Sequence, residues 1–245
     1  MLTTADQANV SDIIKWHYES RAHKVISSLG EKDVKAEYVV DRNEALAKVI
    51  EAIPKEATIG IGDSVTLHQI GLFNWLEKER RQVFNTFIYD REGRFVYSPS
   101  EHFEILRKAL TSDVYLTSSN AVTLDGKIVS IDGKGNRVAA MLFGPKKIIF
   151  VIGANKIVND LDEAMARLKI AAAMNAKRHM SKHGKQALNF GIDKLPCFVT
   201  GVCIDCRSPH RMCHKIVIID GQSRDALCPE ESGIYVILVG ESLGL

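Results

Sequence analysis

The chain has 245 residues, of which 46% are hydrophobic and 25% are charged, and its formal net charge is +2. This composition excludes wholesale disorder, and the nearly balanced charge excludes the strongly basic surface typical of nucleic-acid-binding proteins. The N-terminus lacks the apolar stretch of a signal peptide, and the longest apolar run, Ile148–Ile152, is too short to span a bilayer. We therefore expect a cytoplasmic protein with no membrane span and no nucleic-acid partner.

The first segment, residues 1–35, is predicted to be helical. Apolar residues recur at roughly helical spacing between Asp6 and Leu29. We interpret this segment as a helix that packs on the rest of the protein. An interaction or dimer helix is the alternative, which leaves a homo-oligomer open.

Residues 36–245 alternate between predicted strands and predicted helices. Such alternation predicts one α/β domain with a layered, mostly parallel sheet and helices on both faces. The strands are expected at Ala36–Val40, Thr58–Ile61, Val114–Thr117 and Lys146–Ile152. The helices are expected at Arg42–Ile53, from Ser64 onward, at Ser100–Leu110 and at Asp160–Met174.

Two stretches depart from this alternation. Asp125-Gly126 and Asp132-Gly133 stand at the two ends of Lys127–Ile131, and Asp-Gly pairs beside a strand-like run predict a hairpin, here inserted in the sheet. In the tail, Ile216–Ile219 and Ile234–Val239 are predicted to be strands that flank a loop.

A cysteine-rich loop, residues 196–214, carries four thiols with the spacing C-x5-C-x2-C-x6-C: Cys197, Cys203, Cys206 and Cys213. A C-x2-C pair lets two thiolates reach one ion, and the flanking cysteines can complete the site. Thiolates are soft ligands that favour zinc or an iron–sulfur cluster. We predict that these four residues bind a metal or a cluster. A redox-active dithiol of Cys203 and Cys206 and a set of structural disulfides or inert thiols are the alternatives. Cys228 is interpreted as a bystander.

A glycine-rich turn contains Gly60, Gly62, Ser64 and Thr66, between a predicted strand and a predicted helix. Backbone N–H groups at such a turn, together with the two hydroxyls, suit a phosphate or a carboxylate. Both dinucleotide-binding motifs are incomplete here. A purely structural strand-to-helix turn is therefore the alternative.

A second polar turn, Ser118, Ser119 and Asn120, also follows a predicted strand. In a parallel sheet the loops at the carboxyl ends of the strands gather at one edge, where ligands normally bind. We predict that the two turns form a pocket for a small anionic substrate, with Arg137 and Lys156 as available cations. Solvated surface is the alternative for these two side chains.

Several segments of the chain, taken together and in order, resemble the lactate-utilization (LUD) domain family. The resemblance extends over about residues 10–245. Its segments are Gly60–Ser64, Thr117–Thr123, Asp125-Gly126, Gly135–Ala140, Phe143–Lys147, Gly153–Lys156 and Val239–Gly244.

This resemblance implies a fold like that of the sugar-phosphate isomerase and CoA-transferase superfamily. It also implies a role in oxidising lactate to pyruvate, as a subunit of an iron–sulfur oxidoreductase system. Because the partner subunits of such systems carry clusters, it favours an iron–sulfur cluster over zinc for the cysteine loop.

No catalytic residue set comes with the resemblance. The isomerases and transferases of the superfamily use carboxylates as bases or nucleophiles, and Glu241 and Asp63 are the carboxylates near matching turns. We take both as catalytic candidates, with a capping or ion-pairing role as the alternative for Glu241.

The sequence thus predicts a subunit of a cytoplasmic, iron–sulfur-dependent system that oxidises lactate or a related 2-hydroxy acid. A stand-alone enzyme that acts on a sugar phosphate or a CoA ester, with a structural zinc, is one alternative. A non-catalytic assembly or regulatory protein is the other.

Overall fold

The computed structural model describes residues 4–92, 94–184, 186–223 and 233–245, so the interpretation of Cys228 lies outside the described residues. In chain order the strands are β1 (Lys35–Val39), β2 (Ile59–Ile61), β3 (Val83–Phe84), β4 (Val114–Thr117), β5 (Ala121–Thr123), β6 (Ile128–Asp132), β7 (Lys147–Gly153), β8 (Ile157–Val158), β9 (Lys215–Ile219) and β10 (Gly233–Val239). The helices are α1 (Thr4–Gly30), α2 (Arg42–Ala52), α3 (Val65–Gln69), α4 (Leu72–Lys78), α5 (Pro99–Leu110), α6 (Asn136–Leu142), α7 (Leu161–His183), α8 (Gln186–Asn189) and α9 (Pro196–Thr200).

The main sheet has the strand order β1-β10-β7-β4-β2-β3 in the described part of the chain. Every strand pair in it is parallel, and β10 pairs with β7 along its full length. The central strands are buried on both faces, which explains why β7 reads in the sequence as an unbroken apolar run. The predicted mostly parallel α/β fold is confirmed.

Helices cover both faces of this sheet, as predicted. On one face α2, α3 and α4 pack against the sheet through Val49, Leu67 and Leu72. On the other face α1, α5 and α6 supply Val25, Ala109 and Met141. The second half of α1 therefore contributes to the hydrophobic core. Among the described residues, no helix combines the length and the apolarity that crossing a bilayer requires.

A smaller second sheet, with the order β8-β5-β6-β9, stands beside the main one. The predicted hairpin is present as the antiparallel pair β5–β6. It belongs to this second sheet, however, and not to the parallel sheet in which we expected it. The reason is that β6 pairs on its other side with β9 from the tail, antiparallel over five residue pairs.

The helix predicted to end at Met174 continues to His183 as α7. The apolar pattern weakens beyond Met174, where the residues are mostly charged or polar, and apolar periodicity alone therefore does not predict the last turns. Gly184 follows the last helical residue, and its N–H donates to the carbonyl of Met180.

Gly60 allows a close approach between β2 and the end of α5. A Cβ at this position would lie 2.7 Å from the carbonyl oxygen of Ala109 and 2.7 Å from Ser112 Oγ. We therefore expect Gly60→Ala to lower the free energy of unfolding by roughly 1–3 kcal/mol, the usual effect of overpacking. Gly30→Ala is the matched control, because no atom lies within 4 Å of its added Cβ. Denaturant unfolding of both variants provides the measurement, and equal midpoints would contradict this packing.

Candidate functional site

A cavity of about 250 Å³ lies where β2, β4 and β7 end. The turns after these strands and the long helix α7 supply much of its wall. As predicted, the two polar turns meet at one edge of the sheet. The predicted residues that line the cavity are Asp63, Ser64, Ser118, Ser119, Asn120, Arg137 and Lys156.

Lys156 is the buried cation of this cavity, with 4% of its surface exposed. Its Nζ donates to Thr66 Oγ1 at 3.0 Å and to Ser118 Oγ at 3.1 Å. It makes no ion pair with any described residue. Burial, followed by the charges of Arg167 and Arg137, lowers the pKa of Lys156 to about 7. The side chain is therefore balanced between amine and ammonium near neutral pH.

Ser119 also lines the cavity. The residue is 3% exposed, and its Oγ has no hydrogen-bond partner among the described residues. Buried polar atoms are nearly always hydrogen-bonded, so an unpartnered one in a cavity wall points to a ligand or to water.

Asp63 is held by α7. Its carboxylate accepts from both terminal nitrogens of Arg178, at 2.9 and 2.5 Å. Burial acts to raise the pKa of Asp63, but the hydrogen bonds and the charge of Arg178 outweigh it and hold that pKa well below its usual range. This makes Asp63 a poor proton acceptor. Its ion pair with Arg178 instead holds that guanidinium in the cavity wall.

Glu241, the other catalytic candidate, is not part of this wall. Its carboxylate lies 2.7 Å from Nη2 of Arg42, the first residue of α2. The structure therefore favours the ion-pairing alternative for this residue.

Three further predicted ligand residues, Gly60, Gly62 and Thr66, do not line the cavity themselves. Gly60 and Gly62 allow close packing, since a Cβ at Gly62 would lie 2.9 Å from Thr117 Oγ1 and 3.1 Å from Arg137 Cδ. Thr66 reaches the site through Lys156.

Arg137 lines the cavity but is already engaged. Its guanidinium donates to the carbonyls of Ser118 and Ile131 and to Asn120 Oδ1. It therefore holds the second polar turn in place, and binding of an anionic substrate by this guanidinium, as predicted from the sequence, would require breaking these bonds.

Sequence reasoning missed the contribution of α7 and of an aromatic wall. Asn175, Arg178 and His179 line the cavity, as do Phe87 and Tyr89. Burial lowers the pKa of His179 to about 4, in spite of the nearby Asp63 carboxylate, so its imidazole is neutral at physiological pH. Polar residues at positions i, i+3 and i+4 of a helix share one face, and this spacing was the available signal.

The four cysteines of the loop line a second cavity, of about 230 Å³. All four are free thiols. Burial raises the pKa of Cys197, and the neighbouring thiols of Cys206 and Cys203 raise it further. Within the described residues, however, no three His, Cys, Asp or Glu side chains are gathered closely enough to hold an ion.

The two cavities share a wall. Ile131 of β6 and Met212 of the cysteine loop line both of them. The strand that carries Ile131 ends at Asp132, which also lines the first cavity, whereas Met212 precedes Cys213 directly. The first cavity and the thiol cavity are therefore neighbours.

Comparison with known proteins identifies related sequences. The model of the LUD domain family matches residues 22–239 of the chain. No functionally curated protein matches it. Among solved structures, a DUF162 family protein from Deinococcus radiodurans is similar, with 13% identity over 91% of this chain and 98% of that chain. The TM-score between the two structures is 0.46.

The buried amine predicts a pH-dependent stability. The pKa of Lys156 falls from 10.5 to about 7 on folding, so below pH 7 the folded protein bears the full cost of a desolvated ammonium. This cost diminishes as the pH rises toward 10.5, because the folded state then holds a neutral amine. We expect Lys156→Met to stabilise the protein below pH 7 by on the order of a few kcal/mol, and progressively less at higher pH.

Thermal unfolding from about pH 6 to about pH 10 measures this effect. Lys24→Met, at an exposed position of α1, is the control and should shift Tm little at any pH. A Lys156→Met shift that stays constant over this range would contradict the lowered pKa.

Proposed function

This chain belongs to the LUD domain family, which gives it a role in lactate utilisation in general terms, and from this premise we propose a specific function. The protein is a subunit of an iron–sulfur-dependent system that oxidises lactate, or a related 2-hydroxy acid, to the 2-oxo acid. Its partners are the iron–sulfur subunits that take the electrons onward.

The shared wall of the two cavities carries this proposal. Ile131 and Met212 face both the polar cavity and the thiol cavity. Electron transfer requires donor and acceptor to be close together. A substrate in the first cavity and a cluster in the second would be separated by the side chains of this wall, which is the arrangement that an oxidation requires.

The first cavity suits a small acid. Its volume of about 250 Å³ is below the usual range for drug-sized ligands. Ser119 offers an unpartnered hydroxyl, and Lys134 lines the wall without an ion pair to any described residue. These two donors suit the carboxylate of a 2-hydroxy acid, and the neighbouring Lys156 suits the hydroxyl group on the adjacent carbon.

The donor set of the second cavity fits a cluster. Four thiols line one cavity, and thiolates are the usual ligands of iron–sulfur centres. Lys169 and Arg211 line the same cavity and would offset the negative charge of a thiolate-bound centre. Residues 203–213 have no helix or strand, so a rearrangement of this loop that brings the thiols together would break no regular element within it. A bound cluster would supply a one-electron acceptor beside the substrate.

The first cavity also contains groups that can accept protons. Oxidation of a 2-hydroxy acid to a 2-oxo acid releases two electrons and two protons. Near neutral pH the amine of Lys156, with a pKa lowered by burial to about 7, can accept one of these protons, and the imidazole of His179, with a pKa lowered by burial to about 4, is a neutral but weaker acceptor. These two residues replace Glu241 and Asp63 as the candidates for acid–base chemistry.

Metal and sulfide analysis tests this proposal. Protein purified without oxygen should be brown and should contain iron and acid-labile sulfide in similar amounts. Cys203→Ser and Cys206→Ser should abolish both, whereas Cys228→Ser, outside the four-cysteine set, should retain them. The double readout, colour and sulfide, separates a cluster from adventitious iron.

A colourless protein with one zinc per chain would contradict the electron-transfer role. It would favour instead the stand-alone enzyme with a structural zinc. Stabilisation of such a protein by sugar phosphates or CoA, and not by lactate, would strengthen that reading.

A further inference from the structure

The hydrogen bonds around Lys156 define the protonation state that its site accommodates. The hydroxyl of Thr66 donates to Ser118 Oγ, and the hydroxyl of Ser118 donates to the carbonyl of Ser119. With their own protons used in this way, both hydroxyls face the Lys156 nitrogen as acceptors. The side chain therefore has two acceptors within hydrogen-bond distance.

A neutral amine satisfies this arrangement fully. It has two N–H groups, which match the two hydroxyl acceptors, and one lone pair that remains free. An ammonium has three N–H groups, and its third would have no acceptor among the described residues. Because an unsatisfied buried donor is costly, the surroundings favour the amine.

The backbone of Gly244 packs closely against the Lys156 amine. A Cβ at this position would lie 2.6 Å from Lys156 Nζ and 2.5 Å from Thr66 Oγ1. The backbone of Gly244 therefore covers one side of the side chain. Since Lys156 also lines the cavity, the cavity is the space in which its lone pair can meet a ligand.

We propose that Lys156 is a nucleophile that captures small 2-oxo acids as an imine in this cavity. The proposal deepens the proposed function, on which it rests for the ligand class, because a 2-oxo acid is the product of 2-hydroxy acid oxidation. A 2-hydroxy acid has no carbonyl and cannot react in this way.

The reaction balances without any further reagent. The lone pair of Nζ attacks the C2 carbonyl, and the oxygen takes up a proton, giving a carbinolamine. The proton that the oxygen takes up comes from the nitrogen, and the resulting hydroxyl then leaves with the remaining nitrogen proton as water while the C=N bond forms. The net change is the replacement of C=O by C=N with release of one water molecule, with no oxidation or reduction.

The cavity also contains donors for the carboxylate of the same ligand. Ser119 Oγ is unpartnered and Lys134 lines the wall. A 2-oxo acid has its carboxylate next to the reacting carbon, so a ligand that reacts with Lys156 presents its carboxylate to the same cavity. A ketone without a carboxylate would lack this second contact, and we expect it to react more weakly.

Reductive trapping tests the proposal. The full-length protein is incubated with pyruvate and sodium cyanoborohydride, and its intact mass is measured. A reduced imine adds the mass of the 2-oxo acid less one oxygen atom, and peptide mapping should place it on Lys156. Capture should saturate with pyruvate concentration and should increase as the pH rises through about 7, where the amine becomes neutral.

Matched controls separate this site from surface lysines. Lys156→Met, which we expect to be more stable than the wild type, should lose the saturable adduct, whereas Lys24→Met should retain it. Lactate should give no adduct, and acetone should give much less than pyruvate.

Two results would overturn the proposal. One is an adduct spread over surface lysines that Lys156→Met leaves unchanged. The other is pyruvate binding in the cavity without an adduct at Lys156, which would make this residue an anion anchor. Iron and sulfide are measured on the same preparation, so the outcomes are distinguishable: a cluster without the adduct contradicts only imine capture, whereas the adduct without a cluster contradicts only the iron–sulfur proposal.

Discussion

A lysine nitrogen that is buried against two hydroxyls, and that forms no ion pair with a carboxylate of the described residues, is the interaction on which the site depends. The parallel sheet creates it, because β2, β4 and β7 end at one edge and deliver Thr66, Ser118 and Lys156 to the same point. Such an arrangement opposes folding, since burial of an unpaired ammonium is unfavourable. Its presence in a cavity wall is therefore best explained by ligand chemistry, as strain and perturbed pKa values concentrate at functional sites.

The second sheet determines that the two cavities lie side by side. Its strand β6 carries Ile131 to the boundary between the two cavities, and β9, which follows the cysteine loop in the chain, pairs with β6 and fixes that loop next to it. Met212 completes the boundary from the loop side. A tail that paired elsewhere would leave the thiols far from the polar cavity. The proximity of the polar cavity and the thiols is thus a consequence of strand pairing.

Local patterns in the sequence were sufficient for the sheet and for the two polar turns. Strands such as Ile148–Ile152 are apolar throughout, and the turns follow strands directly. What could not be predicted depends on distant contacts. The sequence predicts Lys156 as a cation of the pocket but not its burial, and Gly60 reads as a ligand residue until Ala109 is seen against it. The residues of α7 beyond Met174 escaped notice because their charge hides the helical pattern.

The protonation state of Lys156 tests the central claim most directly. Carbon-13 NMR of the lysine ε-carbons, with Lys156→Met to assign the resonance, follows this side chain through a pH titration. The account predicts a midpoint near pH 7 for Lys156. A Lys156 signal that titrates near 10.5, together with the exposed lysines, would show an ordinary ammonium and would contradict the account.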